Sequence, residues 1–349
     1  MPATIKDVAR AAGVSVATVS RALNGAENVL PDTKQRILEV ARELRFTPSG
    51  AARSLITRRT DTIGALLPDL HGEYFSELIR GIDQAARARG LHLLVSSSHD
   101  DADEAAKALR AMNGRVDGLL VMSPHADADF LSNNLPANLP AVLMNTDVDL
   151  PGHARFVIDN FGGALTMARH LASAGRKRIA FIGGPAGNHE AQERLRGYRA
   201  GLLAGMDELV FEGDFTEEAG RLAGRRIVQS KQRPDAVFAA NDMMAIGCLG
   251  ALAEAGLAVP EDIALVGFDD IPIARYVAPA LSTIRVPIAA LGAAALDALV
   301  KSMESPSAAA GHPTVMPVEL VLRRSCGTGP PPQPLAPKAA RAARTPQGK

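Results

Sequence analysis

From Thr62 onward the sequence alternates short apolar runs with amphipathic helical patterns, and it does so twice. The first series holds "TIGALLPD", the helical "YFSELIRGIDQAARARG", then "LHLLVSSS", "GLLVMSP" and "AVLMNTD". The second holds "RIAFIGGP", the helical "EAQERLRGYRAGLLAG", then "AVFAAND" and "IALVGFDD". Buried strands alternating with helices are the rhythm of parallel sheets covered on both faces. Two series predict two α/β lobes, each a doubly wound parallel sheet, with ligands held beyond the carboxyl ends of the strands. The chain returns near "LSTIRVPI", and "PVELVLRR" reads as one more strand. The lobes are therefore expected to exchange strands and to frame a cleft. One lobe is placed at 61–158 and 288–316, the other at 159–287 and 317–326.

Charge separates a head from this body. Residues 1–60 carry 10 lysines and arginines against 5 acids, whereas 61–326 carry 24 against 33. The last segment, 327–349, carries four bases and no acid, so a chain of zero formal charge is basic at both ends. A basic head on an acidic body predicts that the head meets a polyanion and the body does not. The 349 residues, 47% of them hydrophobic, suffice for more than one packed domain. No apolar run is long enough to span a bilayer, and the N-terminus lacks an apolar signal region. A cytoplasmic location without a membrane partner is expected. Cys248 and Cys326 show no disulfide framework and no metal spacing, as in a reducing compartment.

The head opens with "ATIKDVARAAGVSVATVSRALNG". Ile5, Val8, Ala9 and Ala12 recur at helical spacing, with Thr4 as N-cap and Gly13 as terminator. Ser15 caps a second short helix, whose Val19 and Leu23 point inward. Two short helices joined at a glycine form a helix-turn-helix. The second helix presents Val16, Ala17, Thr18, Ser20 and Arg21 outward. These are small groups plus one forked donor, suited to thymine methyls and guanine edges in a major groove. A third helix is predicted from about Pro31 to Leu44, with Ile37, Leu38, Ala41 and Leu44 as its apolar stripe. The spacing alone also fits a three-helix bundle that merely packs, with a solvated charged surface.

The stretch "TIKDVARAAGVSVATVSRALN" closely resembles the N-terminal signature of the LacI/GalR family of bacterial transcription regulators. The resemblance continues through "ARELRFTPSGAARSL" and over the body to about residue 326. It implies a helix-turn-helix domain at 1–47, a hinge helix and linker at 48–60, and a periplasmic-binding-protein-like core at 61–326. It also implies that Thr4, Thr18, Ser20, Asn24 and Thr33 touch phosphates and that Val16, Ala17 and Arg21 read bases. Ser15 and Asn28 complete the DNA-facing candidates. One departure is Arg45, where many members have glycine. A positive φ there would cost about 1 kcal/mol relative to glycine.

Between head and body lies "PSGAARSLITRR". Pro48 stops the third helix and Ser49 can cap a new one of about two turns. So short a helix is unstable alone, because nucleation outweighs propagation. It is either a flexible linker or a helix that folds only when two copies meet in a DNA minor groove. The resemblance implies the second. Ala51 and Ala52 would then let paired helices approach, Arg53 would lie near phosphates, and Leu55 would wedge between base steps.

Polar residues just past the predicted strands mark a ligand site: Asp69, Asn145, Asn241, Asp242, Asp269 and Asp270, with Arg194 on a helix facing the same side. Acids, amides and one arginine can hold vicinal hydroxyls, and Tyr74, Phe75 and Phe215 can stack on a ring. Each has a plainer reading. Asp242 is equally the N-cap of "MMAIGCLGALAEAG", Asp270 can start a turn, Phe75 suits a core, and Arg194 can pair with Glu190 or Glu193. The resemblance implies effector contacts at Arg194, Asn241, Asp269, Phe215, Asn145 and Ile288. It also implies that Tyr74 and Phe75 match an aromatic pair used by purine-responsive members.

Catalysis is not expected. Adjacent Asp269 and Asp270 would point apart, "FIGGPAG" lacks the lysine and hydroxyl of a phosphate loop, and the histidines show no ligand spacing. A periplasmic sugar-binding protein would share the body but has no use for residues 1–60. The proline-rich tail 327–349 reads as disordered and has no leucine heptads, so a homodimer rather than a tetramer is expected. The expectation is a repressor of a palindromic operator, controlled by a small molecule, a saccharide before a purine or nucleoside, with no metal and no cofactor.

Overall fold

The structure is a computed structural model that describes residues 3–23, 28–46, 59–123, 126–305 and 312–328. The head contains α1 (Ile5–Ala12), α2 (Val16–Leu23) and α3 (Pro31–Glu43). Thr4 donates from its backbone N and its Oγ1 to Asp7 Oδ2, at 3.0 and 2.7 Å, which fixes the first turn of α1. Gly13 ends α1 at φ 65°, a conformation that costs a Cβ-bearing residue. Ser15 Oγ accepts the Thr18 N–H at 3.1 Å and caps α2 as the sequence suggests.

The head's core is small: Val8, Ala9, Ala12, Val19, Ala22, Ile37 and Ala41, flanked by Leu23, Val40 and Phe46. The apolar stripe of α3 differs from the expected one. Leu38 and Leu44 are exposed, and Val40 and Phe46 pack on the core instead. Leu38 follows Ile37 by one residue, so it is turned about 100° away from the core. Arg45 does take a left-handed φ of 49°.

The body divides into two compact units. The first is built on a six-stranded sheet in the order β11-β5-β4-β3-β1-β2. Its strands are β1 (Thr62–Leu67), β2 (His92–Ser97), β3 (Gly118–Met122), β4 (Ala141–Met144), β5 (Ala154–Ile158) and β11 (Thr314–Met316). β1 to β5 pair in parallel. Its helices are α4 (Glu73–Arg87), α5 (Ala102–Met112), α6 (Ala128–Asn134) and α11 (Ile288–Glu304). α4 meets α11 so closely that a Cβ on Gly81 would lie 2.1 Å from the Ala289 carbonyl oxygen. Asp117 fixes the chain where it reaches β1, accepting from Thr60 N, Thr60 Oγ1 and Asp61 N within 2.8 Å.

The second unit carries a parallel sheet in the order β7-β6-β8-β9. These are β6 (Ile179–Ile182), β7 (Leu209–Phe211), β8 (Ala236–Ala239) and β9 (Ala264–Val266). Its helices are α7 (Asn160–Ser173), α8 (His189–Gly201), α9 (Glu217–Gln229) and α10 (Asp242–Glu254). β10 (Thr283–Arg285) and β12 (Glu319–Val321) pair with each other, antiparallel. β10 lies within "LSTIRVPI" and β12 within "PVELVLRR", while a further strand joins the first sheet. That strand is β11, in a segment the sequence pattern left unread. No helix among the described residues is long and apolar enough to cross a membrane.

Candidate DNA interface and effector site

On the head, α2 leaves Val16, Ala17 and Arg21 exposed and Thr18 and Ser20 half-exposed, while Val19 and Ala22 are buried. The helix thus shows water one continuous strip of small groups ending in a guanidinium. Thr4, Ser15 and Asn28 are exposed and Thr33 is half-buried. Ser15 Oγ and Thr18 Oγ1 lie 2.8 Å apart, so the cap also orients Thr18. Asn24, Ala51, Ala52, Arg53 and Leu55, with most of the expected hinge and tail, lie outside the described residues.

In the second unit, four predicted residues come together. Arg194, on α8, is buried, as is Asp269 just beyond β9. Arg194 Nε donates to Asn160 Oδ1 at 2.8 Å, and Nη1 donates to the Ala240 carbonyl at 2.7 Å. Nη1 also lies 3.2 Å from Asp269 Oδ1, within ion-pair range. That contact is an ion pair without an aligned hydrogen bond to the buried Oδ1. The guanidinium lies 4.0 Å from the Phe268 ring centroid and 5.7 Å from that of Phe215. Burial pushes the Asp269 carboxyl up to about 7; Arg194 opposes the shift and Glu190 adds to it.

The loop that presents Asp269 is strained and firmly held. Asp269 and Asp270 take φ of 111° and 56°, left-handed values that a side chain disfavours. The Asp269 N–H donates to Ile284 O at 2.7 Å, and Val286 N–H donates to Asp269 O at 3.1 Å. Asp270 accepts Arg285 Nε at 2.7 Å and Arg323 Nη2 at 2.6 Å, so its buried carboxylate holds two ion pairs rather than merely starting a turn. Asp242 is fully buried and joins three segments: its Oδ1 accepts Thr283 Oγ1 at 2.6 Å and its Oδ2 accepts Ile271 N at 3.0 Å. Burial, then the nearby Asp269, holds its carboxyl well above the usual carboxylate range.

Asn241 is the N-cap of α10, correcting the alternative that gave this role to Asp242. Its Oδ1 accepts Met244 N at 2.9 Å and its Nδ2 donates to Phe215 O at 2.9 Å. It thereby holds Phe215 at a φ of 72°. Of the two intrahelical partners suggested for Arg194, Glu193 pairs with Arg196 instead, and Arg194 itself pairs with Asp269.

Asp69 and Asn145 follow β1 and β4 of the first unit. Asp69 Oδ1 accepts Leu70 N and His71 N in a tight Asx turn, at 2.6 and 3.1 Å. Asn145 is buried at a φ of 51°. Tyr74 and Phe75 pack edge to face, centroids 5.4 Å apart, and both are partly exposed, so Phe75 is not a core residue. Ile288 is buried at the start of α11. Sequence reasoning missed Asn160 and Phe268, and named Glu190 only as a possible partner of Arg194 on its own helix. Asn160 follows β5, so detecting that strand would have exposed it. Glu190 is buried, and Asn160 Nδ2 reaches its Oε1 at 3.4 Å.

Residues 4–49 match the model "Bacterial regulatory proteins, lacI family", and residues 168–326 match "Periplasmic binding protein-like domain". The HTH-type transcriptional repressor PurR of Edwardsiella ictaluri is 38% identical over 336 residues, covering 94% of this chain and 98% of that protein. The crystal structure of the Lac repressor dimer bound to operator and the anti-inducer ONPF superposes with a TM-score of 0.83 at 27% identity, over 93% of this chain and 99% of that one. A complex of the transcriptional regulator CelR with cellobiose gives a TM-score of 0.68 at 30% identity, over 93% and 99% of the two chains. With a helix-turn-helix head, two parallel α/β units and near full-length likeness to such repressors, the chain belongs to the LacI/GalR family of bacterial transcription regulators and is a DNA-binding repressor, not an enzyme.

Proposed function

We propose that the chain acts as a homodimer on a palindromic operator and that a small effector, held by Arg194 and Asp269, sets its operator affinity. On this reading residues 1–47 bind DNA, 48–60 form the hinge, 61–326 form the core and 327–349 a basic tail. Each α2 lies in a major groove. Thr4, Ser15, Thr18, Ser20, Asn24, Asn28 and Thr33 position it on phosphates, while Val16, Ala17 and Arg21 read base edges. Ala51, Ala52, Arg53 and Leu55 form the minor-groove element. Effector binding need supply only ~1–3 kcal/mol of coupling to switch occupancy.

The observation that carries the effector half is the buried Asp269 oxygen beside Arg194, without an aligned donor, on a loop held left-handed. Strain of this kind persists where the surroundings over-determine it, as at ligand clamps. A saccharide is the first reading of the effector, because acids and amides around an arginine suit vicinal hydroxyls. A purine is the second, favoured by Phe215 and by the Tyr74–Phe75 pair. Asp69, Asn145 and Ile288 remain candidate contacts on either reading. Thermal unfolding of the full chain with ribose, glucose, cellobiose, hypoxanthine, guanine and adenosine tests it, since a ligand of the folded state raises its midpoint. A shift with wild type that vanishes in Asp269→Ala supports the site. An undiminished shift in that variant refutes it.

A further inference from the structure

Asp269 and Asp270 hold left-handed backbone at two successive residues, and one side chain grips the chain on both sides of them. Asp242, the first residue of α10, donates its backbone N–H to the Phe268 carbonyl at 2.8 Å, one residue before the strained pair. Its Oδ2 accepts the Ile271 N–H at 3.0 Å, one residue after it. Its Oδ1 accepts Thr283 Oγ1 at 2.6 Å. Thr283 precedes Ile284, whose carbonyl accepts the Asp269 N–H. A Cβ on Gly267 would collide with Asp242 Oδ1, so the chain leaving β9 runs directly against this carboxyl.

Capping does not account for these contacts, because Asn241 already caps α10. A fully buried acid is costly, and an alanine at this helix position would avoid the cost. The carboxyl instead closes a ring around Asp269. Phe268 and Ile271 are held from one side, and the Thr283–Ile284 segment from the other. A φ of 111° at a residue with a Cβ persists only while its surroundings over-determine it. Without the Ile271 bond the loop can relax to ordinary backbone angles. The Asp269 carboxyl then leaves its place 3.2 Å from Arg194 Nη1.

We propose that Asp242 is a positioning residue of the effector site: it contacts no effector itself, and it brackets the loop so that Asp269 stays beside Arg194. This rests on the reading that the effector binds at Arg194 and Asp269. The raised Asp242 carboxyl agrees with it, since a neutral acid can make both bonds without burying a charge. An asparagine amide offers the same two contacts, its oxygen accepting from Ile271 and its nitrogen donating to Thr283 Oγ1.

The test compares the full chain as wild type, Asp242→Ala and Asp242→Asn. Hydrogen exchange reads the loop, and calorimetric titration with ribose, glucosamine, adenosine and hypoxanthine reads the site. In Asp242→Ala the Asp269, Ile271 and Val286 amides should exchange about tenfold faster or more, while those of β6 and β8 stay protected as in wild type. A probe that binds wild type should bind Asp242→Ala about tenfold weaker or more, and Asp242→Asn nearly as well as wild type. Unchanged exchange in the loop overturns the proposal, as does equal loosening of the whole second unit or no rescue by Asp242→Asn. If Asp242→Ala does not fold, Thr283→Val, which removes one of the two bonds, should loosen the same three amides and weaken the same probe; no effect there overturns the proposal too. Arg194→Gln separates the underlying site from the bracket. Binding that is absent from wild type, or indifferent to Arg194→Gln, overturns the site and the positioning role with it. Binding lost in Arg194→Gln but intact in Asp242→Ala overturns the positioning role alone.

Discussion

The groups that α2 presents stand in water, whereas Glu190, Arg194 and Asp269 of the second unit are buried. The head rests on a core of seven small and medium side chains, and its outward strip needs nothing beneath it but a helix of the right length. The second unit surrounds Arg194 with a carboxylate, a backbone carbonyl and an amide. An exposed arginine can meet a polyanion because its water is easily displaced. A buried acid discriminates among small ligands because each unmatched charge or donor is costly there. The same residue types thus serve two ends, set by whether solvent remains.

The largest effect expected from breaking this contrast is at Arg194. Arg194→Met leaves Asp269 buried without its cation and should destabilise the second unit by roughly 3–5 kcal/mol in urea unfolding. Arg21→Ala, in the exposed region, should leave stability unchanged and weaken operator binding by roughly 1–3 kcal/mol, with little loss on random DNA. Fluorescence anisotropy on both duplexes checks this, and equal loss on both would contradict base reading.

The pH dependence comes next. Asp269 is raised to about 7 from an ordinary 3.8, facing Arg194, Glu190 and Asp242. Between those values the folded chain keeps a proton that the unfolded chain releases. Its contribution is therefore full below pH 4 and is lost as pH rises through about 7. Asp269→Asn should flatten this dependence by on the order of 1–3 kcal/mol between pH 4 and 8, seen in unfolding at several pH values. The smallest effect is at Arg45, with φ 49°. Arg45→Gly should relieve its strain and raise the head's stability by about 1 kcal/mol, measured by thermal unfolding.

The elements with strong periodicity were readable from sequence: α1 to α3, and the apolar runs of β1 to β4, β6 and β8. β5 was hidden because "ARFVI" carries an arginine, and β7 and β11 are only three residues each. These omissions carried into the site. Asn160 went unnoticed because the strand before it did. The cap of α10 was open by one residue because Asn241 and Asp242 are both good caps. Only the fold shows that Asp242 turns inward to Thr283 and Ile271. Glu190 was legible only as a possible partner of Arg194 on its own helix, and its burial comes with a contact to Asn160, distant in sequence. Arg194 and Asp269 were legible as types of residue, and their pairing required the fold.

The central claim is that operator reading and effector sensing reside in different parts of one chain and are coupled. Anisotropy of a labelled operator with wild type and Asp269→Ala, while titrating whichever of ribose, glucosamine or adenosine binds wild type, tests it most directly. The expected result is that both proteins bind operator alike and only wild type responds to the ligand. An intact response in Asp269→Ala would contradict the account, as would lost operator binding in a variant whose head and core remain folded.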